Sequence, residues 1–99
     1  MRTVVWTDQA QTTLADITTF ISGDSLTAAR KVMSRITEAA AQLGSIPTGR
    51  RARIRGVYEK SLPDIRYIIA YALDDPPGTV TILRIIHTAR DWPSDTWPD

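Results

Sequence analysis

Residues 26–56 read LTAARKVMSRITEAAAQLGSIPTGRRARIRG, and the spacing of the apolar residues changes partway along this stretch. In the first part, apolar residues recur three and four positions apart, which is the period of a helix: Leu26, Ala29, Met33, Ile36, Ala40 and Leu43. From Gly49 the period falls to two, because Ala52, Ile54 and Gly56 alternate with arginines. The stretch therefore predicts a helix followed by a strand that has one apolar and one cationic face.

The segment before this helix predicts a strand and another helix. Residues 3–6 (Thr-Val-Val-Trp) are β-branched and aromatic, which favours a short strand. Asp8 with Gln11 three positions later is typical of a capping-box start. The helix that follows has one apolar face, formed by Ala10, Leu14, Ile17 and Ile21.

The two predicted helices are separated only by Ser22-Gly23-Asp24. Asp24 or Ser25 can cap the second helix, and Gly44 is expected as its C-terminal cap glycine. So short a connection predicts an antiparallel helical hairpin, whose shared apolar stripe packs on the sheet.

The second half of the chain predicts strands alone. A turn at Leu62-Pro63-Asp64 precedes a strand at residues 65–73, and a loop with strong breakers occupies residues 74–78. Residues 80–86 are nearly all apolar, which indicates a central strand buried on both faces. The predicted fold class is α+β in the order β-α-α-β-β-β, as a single domain over residues 1–99. The hairpin packs on a mostly antiparallel sheet, the last three strands form a meander, and the place of the first strand stays open.

Composition excludes several kinds of site. The 99 residues contain no cysteine and one histidine, so disulfides, thiolate chemistry and a multi-histidine metal site are excluded. A net charge of +1 gives no overall argument for nucleic-acid binding. No apolar run approaches the roughly 20 residues of a membrane span. We expect a cytoplasmic protein with no cofactor, no metal and no membrane association.

The order of elements and their landmarks resemble the RelE/ParE superfamily of toxins over residues 4–93. Val5-Trp6-Thr7 with Ala10 and Leu14 is similar to the family's opening strand and first helix. Tyr67-Ile68-Ile69-Ala70-Tyr71 is similar to its Tyr-x-x-x-Tyr strand. The most specific piece is residues 82–93, ILRIIHTARDWP, which looks like the ParE-type ending with a His, an Ala-Arg and a Trp-Pro.

This resemblance implies a toxin of a type II toxin–antitoxin system, held inactive in a hetero-oligomer with its cognate antitoxin. It leaves two mechanisms open, because RelE-like members cut mRNA on the ribosome and ParE-like members poison DNA gyrase. A third reading is a degenerate member that only binds antitoxin. The closer resemblance is to the ParE branch.

The residues themselves weigh against RNA cleavage. Ile68 occupies the position where the RelE branch places an arginine after the first tyrosine of this strand, and a hydrocarbon can neither stabilise an anion nor transfer a proton. We therefore expect no catalytic residue. If the protein were a nuclease, its site would be assembled from His87, Arg90, Arg55, Lys60 and Tyr58. The favoured role of His87 is structural, at the end of an apolar strand.

The chain also departs from the common ParE pattern. Many relatives carry Thr-Arg-Glu-Leu after the glycine at the end of the second predicted strand, whereas here Gly56 is followed by Val57-Tyr58-Glu59-Lys60, so that a tyrosine replaces the arginine. Glu59 is kept and can pair with a nearby arginine. Arg84 is expected to pair with an acid across the sheet.

Two surfaces are candidates for partner binding. An antitoxin helix is expected in a groove of the helical hairpin and an antitoxin strand at a sheet edge, and Arg50, Arg51, Arg53 and Arg55 would attract an acidic antitoxin tail. Apolar residues off the main helix stripes, Phe20, Val32 and Ala39, are the expected helix contacts. Arg90 and Trp92 are the candidates for binding the target, with gyrase favoured over the ribosome and its mRNA.

Overall fold

A computed structural model describes residues 2–74 and 78–88. Its elements are β1 (Thr3–Trp6), α1 (Asp8–Ser22), α2 (Leu26–Ser45), β2 (Arg50–Arg51), β3 (Val57–Leu62), β4 (Tyr67–Asp74) and β5 (Thr79–His87). Across these ranges the strands form one sheet in the order β1-β5-β4-β3-β2. The predicted fold class, a helical hairpin on a mostly antiparallel sheet, is confirmed.

The first and last strands lie side by side. β1 pairs with β5 in parallel, with Val4 opposite Val80, and the other strand pairs are antiparallel. β5 is therefore an interior strand, flanked by β1 and β4, and Ile82 and Ile85 are fully buried in it. The predicted burial on both faces is met only in part, because Thr81, Leu83 and Arg84 are partly exposed. Thr7 fastens the end of β1 to this strand, because both its backbone N–H and its hydroxyl donate hydrogen bonds to the carbonyl of Ile82, at 3.1 and 3.0 Å.

Thr7, and not Asp8, caps the first helix. Thr7 has extended backbone angles, and its hydroxyl oxygen accepts a hydrogen bond from the N–H of Ala10. Asp8 is the first helical residue, where its negative charge favours the positive end of the helix dipole. The second helix is capped by Ser25, which accepts from the N–H of Ala28, so one of the two expected caps is confirmed.

Gly44 is not a cap but an interior residue of α2, which continues to Ser45. A Cβ atom at Gly44 would lie 2.9 Å from the carbonyl oxygen of Arg2 and from the side chain of Val4. The N–H of Arg2 also donates to the Gly44 carbonyl at 2.7 Å. The glycine is therefore needed because the start of the sheet crosses the helix at this point.

The strand predicted from Gly49 is interrupted. β2 contains only Arg50 and Arg51, and residues 53–56 form a turn before β3 begins. Gly56 has a φ of +84°, a left-handed conformation that reverses the chain, so it belongs to a turn and not to a strand. The alternation was correct as a pattern of exposure, since Ala52 and Ile54 are partly buried between exposed arginines, but the predicted single strand is a hairpin.

The sheet has two differently covered faces. The helix-facing side carries the main core, where Ile36 and Leu43 of α2 pack with Ile69, Tyr71 and other strand residues. The second face carries a smaller cluster of Val57, Ile68, Ala70 and Ile86, with Ala52, Ile54 and Leu83 against it. In the described part of the chain, neither helix combines the length and apolar character needed to cross a bilayer.

Candidate functional site

The cationic segment, residues 50–55, lies at the edge strand β2 and in the turn after it. Its four arginines are all exposed. Arg50 approaches an acid, with its Nε 3.8 Å from Oε1 of Glu59, while its side chain stays 83% exposed. Within residues 2–74 and 78–88 the other three arginines form no ion pair. Guanidinium groups presented in this way can bind carboxylates of another molecule.

A close backbone approach and a buried tyrosine hold this segment against β3. Gly49 has a φ of +120°, and a Cβ there would lie 3.1 Å from the carbonyl carbon of Glu59 and would overlap its oxygen. One residue earlier, the carbonyl of Thr48 accepts a short hydrogen bond from the Tyr71 hydroxyl. Burial, with a smaller contribution from Tyr58, raises the pKa of Tyr71, so the hydroxyl keeps its proton as a donor. The sequence indicated Tyr71 only as part of a strand motif and did not reveal this anchor.

Glu59 lines a depression of about 460 Å³ beside the cationic segment, together with Gly49, Arg50, Lys60, Ser61 and Ile68. Its side chain is only 8% exposed. The predicted pairing with an arginine is confirmed, since Arg50 lies opposite it on β2. The 3.8 Å contact is longer than a hydrogen bond, and the carboxylate accepts none from any residue that the structure describes. Its burial could not be read from the sequence.

The helical hairpin exposes apolar side chains, but they are not all the expected ones. Phe20 is 61% exposed, as predicted, and Leu26 and Met33 are 57% and 41% exposed although their spacing placed them on the core stripe. Val32 packs against the core and Ala39 is buried. The reason is geometric, because Val32 and Ala39 are four and three residues from the fully buried Ile36 and so share its face. Val32 is only partly buried, so it stays a predicted antitoxin contact.

The described residues of the hypothetical nuclease are not all gathered in one place. Tyr58 stacks on Tyr71, with ring centroids 5.7 Å apart, while His87 lies opposite Tyr67 at the far end of β4. Tyr58 and His87 are four residues apart along the strand direction and two strands apart across the sheet. These two separations combine to about 16 Å, far beyond hydrogen-bond distance. Lys60 lies nearer to His87, opposite Ile69. Arg55 lies in the turn after β2, and Arg90 is outside the described residues.

The side chain at the centre of the second face of the sheet is apolar. Ile68 is buried there between Ser61 of β3 and Ile86 of β5. Arg84 is partly buried opposite Ala70, and no acid in residues 2–74 or 78–88 pairs with it, so the expected cross-sheet ion pair is wrong within that part of the chain.

His87 contacts an aromatic ring at the end of β5. Its imidazole meets Tyr67 edge-on, with ring centroids 4.9 Å apart, which fits the structural role that the sequence favoured. The two target-binding candidates, Arg90 and Trp92, lie outside the described residues. The part of the chain that is described contains no cluster of three or more His, Cys, Asp or Glu side chains that could hold a metal ion.

Comparison with known proteins gives consistent matches. A family model described as the ParE toxin of type II toxin–antitoxin systems matches residues 4–92. The chain is 37% identical over 89 residues to the toxin candidate Y4kP of Sinorhizobium fredii, covering 89% of this chain and 90% of that protein.

Two solved structures share the fold. The chromosomal ParDE toxin–antitoxin system of P. aeruginosa matches with a TM-score of 0.76 and 22% identity, covering 86% of this chain and 94% of that one. The RelBE2 toxin–antitoxin complex of Mycobacterium tuberculosis matches with a TM-score of 0.66 and 23% identity, covering 87% and 96%.

Proposed function

Because the chain belongs to the ParE toxin family of type II toxin–antitoxin systems, we propose that it inhibits DNA gyrase and that a cognate antitoxin neutralises it. Inhibition proceeds by binding, without cleavage of RNA by the toxin itself. Arg90 and Trp92, at the ParE-type ending of the sequence, remain the proposed contacts to the target.

One observation carries the choice of gyrase over mRNA. Cleavage of RNA requires a base, an acid and cations that meet at one phosphate. Here the wide separation of Tyr58 from His87 leaves an acid and a base on different parts of the sheet, and Ile68 contributes only a hydrocarbon to the second face. This arrangement supports a toxin that acts by binding a protein.

The antitoxin is proposed to bind two surfaces. Phe20, Leu26 and Met33 offer apolar contacts on the helical hairpin, to which an amphipathic helix can pack. The short edge strand β2 offers backbone groups for an added strand, and the cationic segment beside it favours an acidic partner. A partner that covers both surfaces would be held by apolar burial and by charge together.

The experiment for the target uses purified toxin, DNA gyrase and relaxed plasmid. We expect supercoiling to stop in proportion to toxin concentration, and to resume when the protein encoded beside the toxin gene is added. Expression in cells is expected to arrest growth. A toxin that leaves gyrase active and growth unaffected, yet binds the neighbouring protein, would instead be a degenerate binding member.

The experiment for the antitoxin surface compares two matched substitutions. Met33→Asp places a charge on the exposed apolar surface of α2, whereas Glu38→Asp, an exposed position on the same helix, keeps the charge. We expect the first to weaken antitoxin binding about tenfold or more and the second to leave it unchanged, because a desolvated unpaired charge is costly at an interface. Equal affinities for both variants would exclude this helix surface.

A further inference from the structure

Glu59 is a buried acid on the second face of the sheet. Its side chain is only 8% exposed to solvent, and its carboxylate accepts no hydrogen bond from the described residues. An ionised carboxylate taken out of water is costly unless donors replace the lost hydration. Since Glu59 lines the depression beside β2, the donors that its carboxylate lacks among the described residues can come from that side.

Arg50 is a poor hydrogen-bond donor to the Glu59 carboxylate. Its Nε is 3.8 Å from the carboxylate, beyond hydrogen-bond range, and its own side chain is 83% exposed and therefore screened by water. Lys60 also lines the depression, but it follows Glu59 directly along β3, so strand alternation directs its side chain to the opposite face, and it forms no ion pair with Glu59 in the described chain. Arg84 lies beyond Ala70, without an acid partner in the described chain.

We infer that the Glu59 depression receives an arginine or lysine side chain of the antitoxin. The inference rests on the proposed antitoxin binding and adds its recognition chemistry. When acidic groups of the antitoxin draw Arg50 outward, Glu59 loses its one ionic neighbour among the described residues, and a basic residue of the same antitoxin segment takes its place. The recognised segment thus carries a cation next to its acids, and not acids alone.

The geometry of the sheet edge favours a long cationic side chain. A strand added beside β2 would lie two strand spacings from β3, about 10 Å from the backbone of Glu59. A residue added opposite Arg50 would place its side chain on the second face, in the same cross-strand row as Glu59. Ile68 and the bare backbone of Gly49 offer a wall for an aliphatic stem, and the hydroxyl of Ser61 can accept a further hydrogen bond.

The test measures binding of the full-length toxin to the antitoxin encoded beside it, by calorimetry. Glu59→Gln keeps the size of the side chain and removes its charge, and Glu38→Gln is the matched change at an exposed glutamate. We expect Glu59→Gln to raise the Kd about tenfold or more, because a buried charge pair loses one member, and Glu38→Gln to leave it unchanged. Circular dichroism checks that both variants fold. Glu59→Asp keeps the charge and is expected to bind more tightly than Glu59→Gln.

A second measurement identifies the cation. Each arginine and lysine of the antitoxin is changed to alanine and tested against wild-type toxin and Glu59→Gln. We expect one of these alanine substitutions to weaken binding to wild-type toxin but not to Glu59→Gln, because the partner of Glu59 has nothing left to lose once the charge is removed.

The outcomes separate the inference from the proposal beneath it. If wild-type toxin does not bind the antitoxin, the proposed function fails and the inference fails with it. If wild type and Glu59→Gln bind equally, antitoxin binding stands and the inference is overturned. If Glu59→Gln binds weakly but no antitoxin cation is coupled to it, the loss is structural and the inference is again overturned.

Discussion

Substitution of Gly49 tests how the cationic segment is held against the sheet. Gly49→Ala would place a Cβ 3.1 Å from the carbonyl carbon of Glu59 and overlapping its oxygen, at a φ of +120°. The obstructing atoms belong to a paired strand and cannot rotate away as a side-chain end could. Gly56→Ala is the matched control, because Gly56 also has a positive φ of +84° but no atom lies within 4 Å of the position that its Cβ would take.

The magnitudes follow from these two environments. At Gly56 an alanine bears only the left-handed backbone cost of about 1–2 kcal/mol. At Gly49 the backbone strain of about 1–3 kcal/mol adds to an overpacking cost of about 1–3 kcal/mol. The free energy of unfolding should therefore fall by about 2–6 kcal/mol for Gly49→Ala, a large share of the roughly 5–15 kcal/mol that stabilises a typical domain.

Urea denaturation followed by circular dichroism measures both variants. We expect Gly49→Ala to unfold at a clearly lower urea concentration than Gly56→Ala. The variant should also bind the antitoxin less tightly, because Arg50 follows the displaced residue directly. Equal midpoints for the two variants would refute the close approach of Gly49 to β3.

Three further changes test contacts elsewhere in the molecule by urea or thermal unfolding. Gly44→Ala is expected to lower the free energy of unfolding, because its Cβ would lie 2.9 Å from the Arg2 carbonyl oxygen. This clash outweighs the roughly 1 kcal/mol by which alanine is favoured over glycine inside a helix. Gly23→Ala, whose Cβ would have no contact under 3.4 Å, should be neutral, and a Gly44→Ala variant more stable than wild type would contradict the crossing of β1 and α2. The hydrogen bond from Arg35 lowers the pKa of Asp64 below its ordinary value of 3.8. The pair therefore stabilises the fold above pH 3.8 and loses this effect as the pH falls below 3.8. Asp64→Asn should lose less stability than wild type when the pH is lowered through this region, and equal losses would argue against the pair. Tyr71→Phe should cost about 1–3 kcal/mol, since Thr48 loses its donor. Because the pKa of Tyr71 is raised above 10.0, wild type should also lose stability above pH 10, where the phenylalanine variant keeps it.

The sequence was sufficient for the helical hairpin and for the interior position of β5, although that strand is only partly buried on its second face. The spacing from Ala10 to Ile21 predicts one buried helix face, and the run from Val80 to Ile86 predicts a strand that is buried on both sides. These signals are strong because burial repeats along many residues of one element. The fold class follows from them and from the order of the elements.

Features that depend on contacts between distant segments were not predicted. Gly44 has the position of a cap in the sequence, but its role is set by the N-terminal strand that crosses it. The alternation of apolar residues and arginines after Gly49 fits a single strand, and it fits equally well a turn that keeps its apolar residues inward. The positive φ of Gly56 shows that the chain turns here.

The same limit applies to the candidate site. Exposure of the four arginines could be predicted from their alternation with apolar residues. The burial of Glu59 depends on the neighbouring strands β2 and β4, whose register the local sequence does not contain. The sequence pattern places Val32 off the main apolar stripe of α2, whereas in the structure it is partly buried against the core, because the stripe alone does not specify the angle at which the helices pack.

The most direct test of the central claim exposes translating ribosomes and DNA gyrase to the same preparation of toxin. We expect intact mRNA and stalled supercoiling, both for wild type and for His87→Ala. Transcripts severed on the ribosome by wild type, with gyrase unaffected and with cleavage lost in His87→Ala or Lys60→Ala, would contradict the claim.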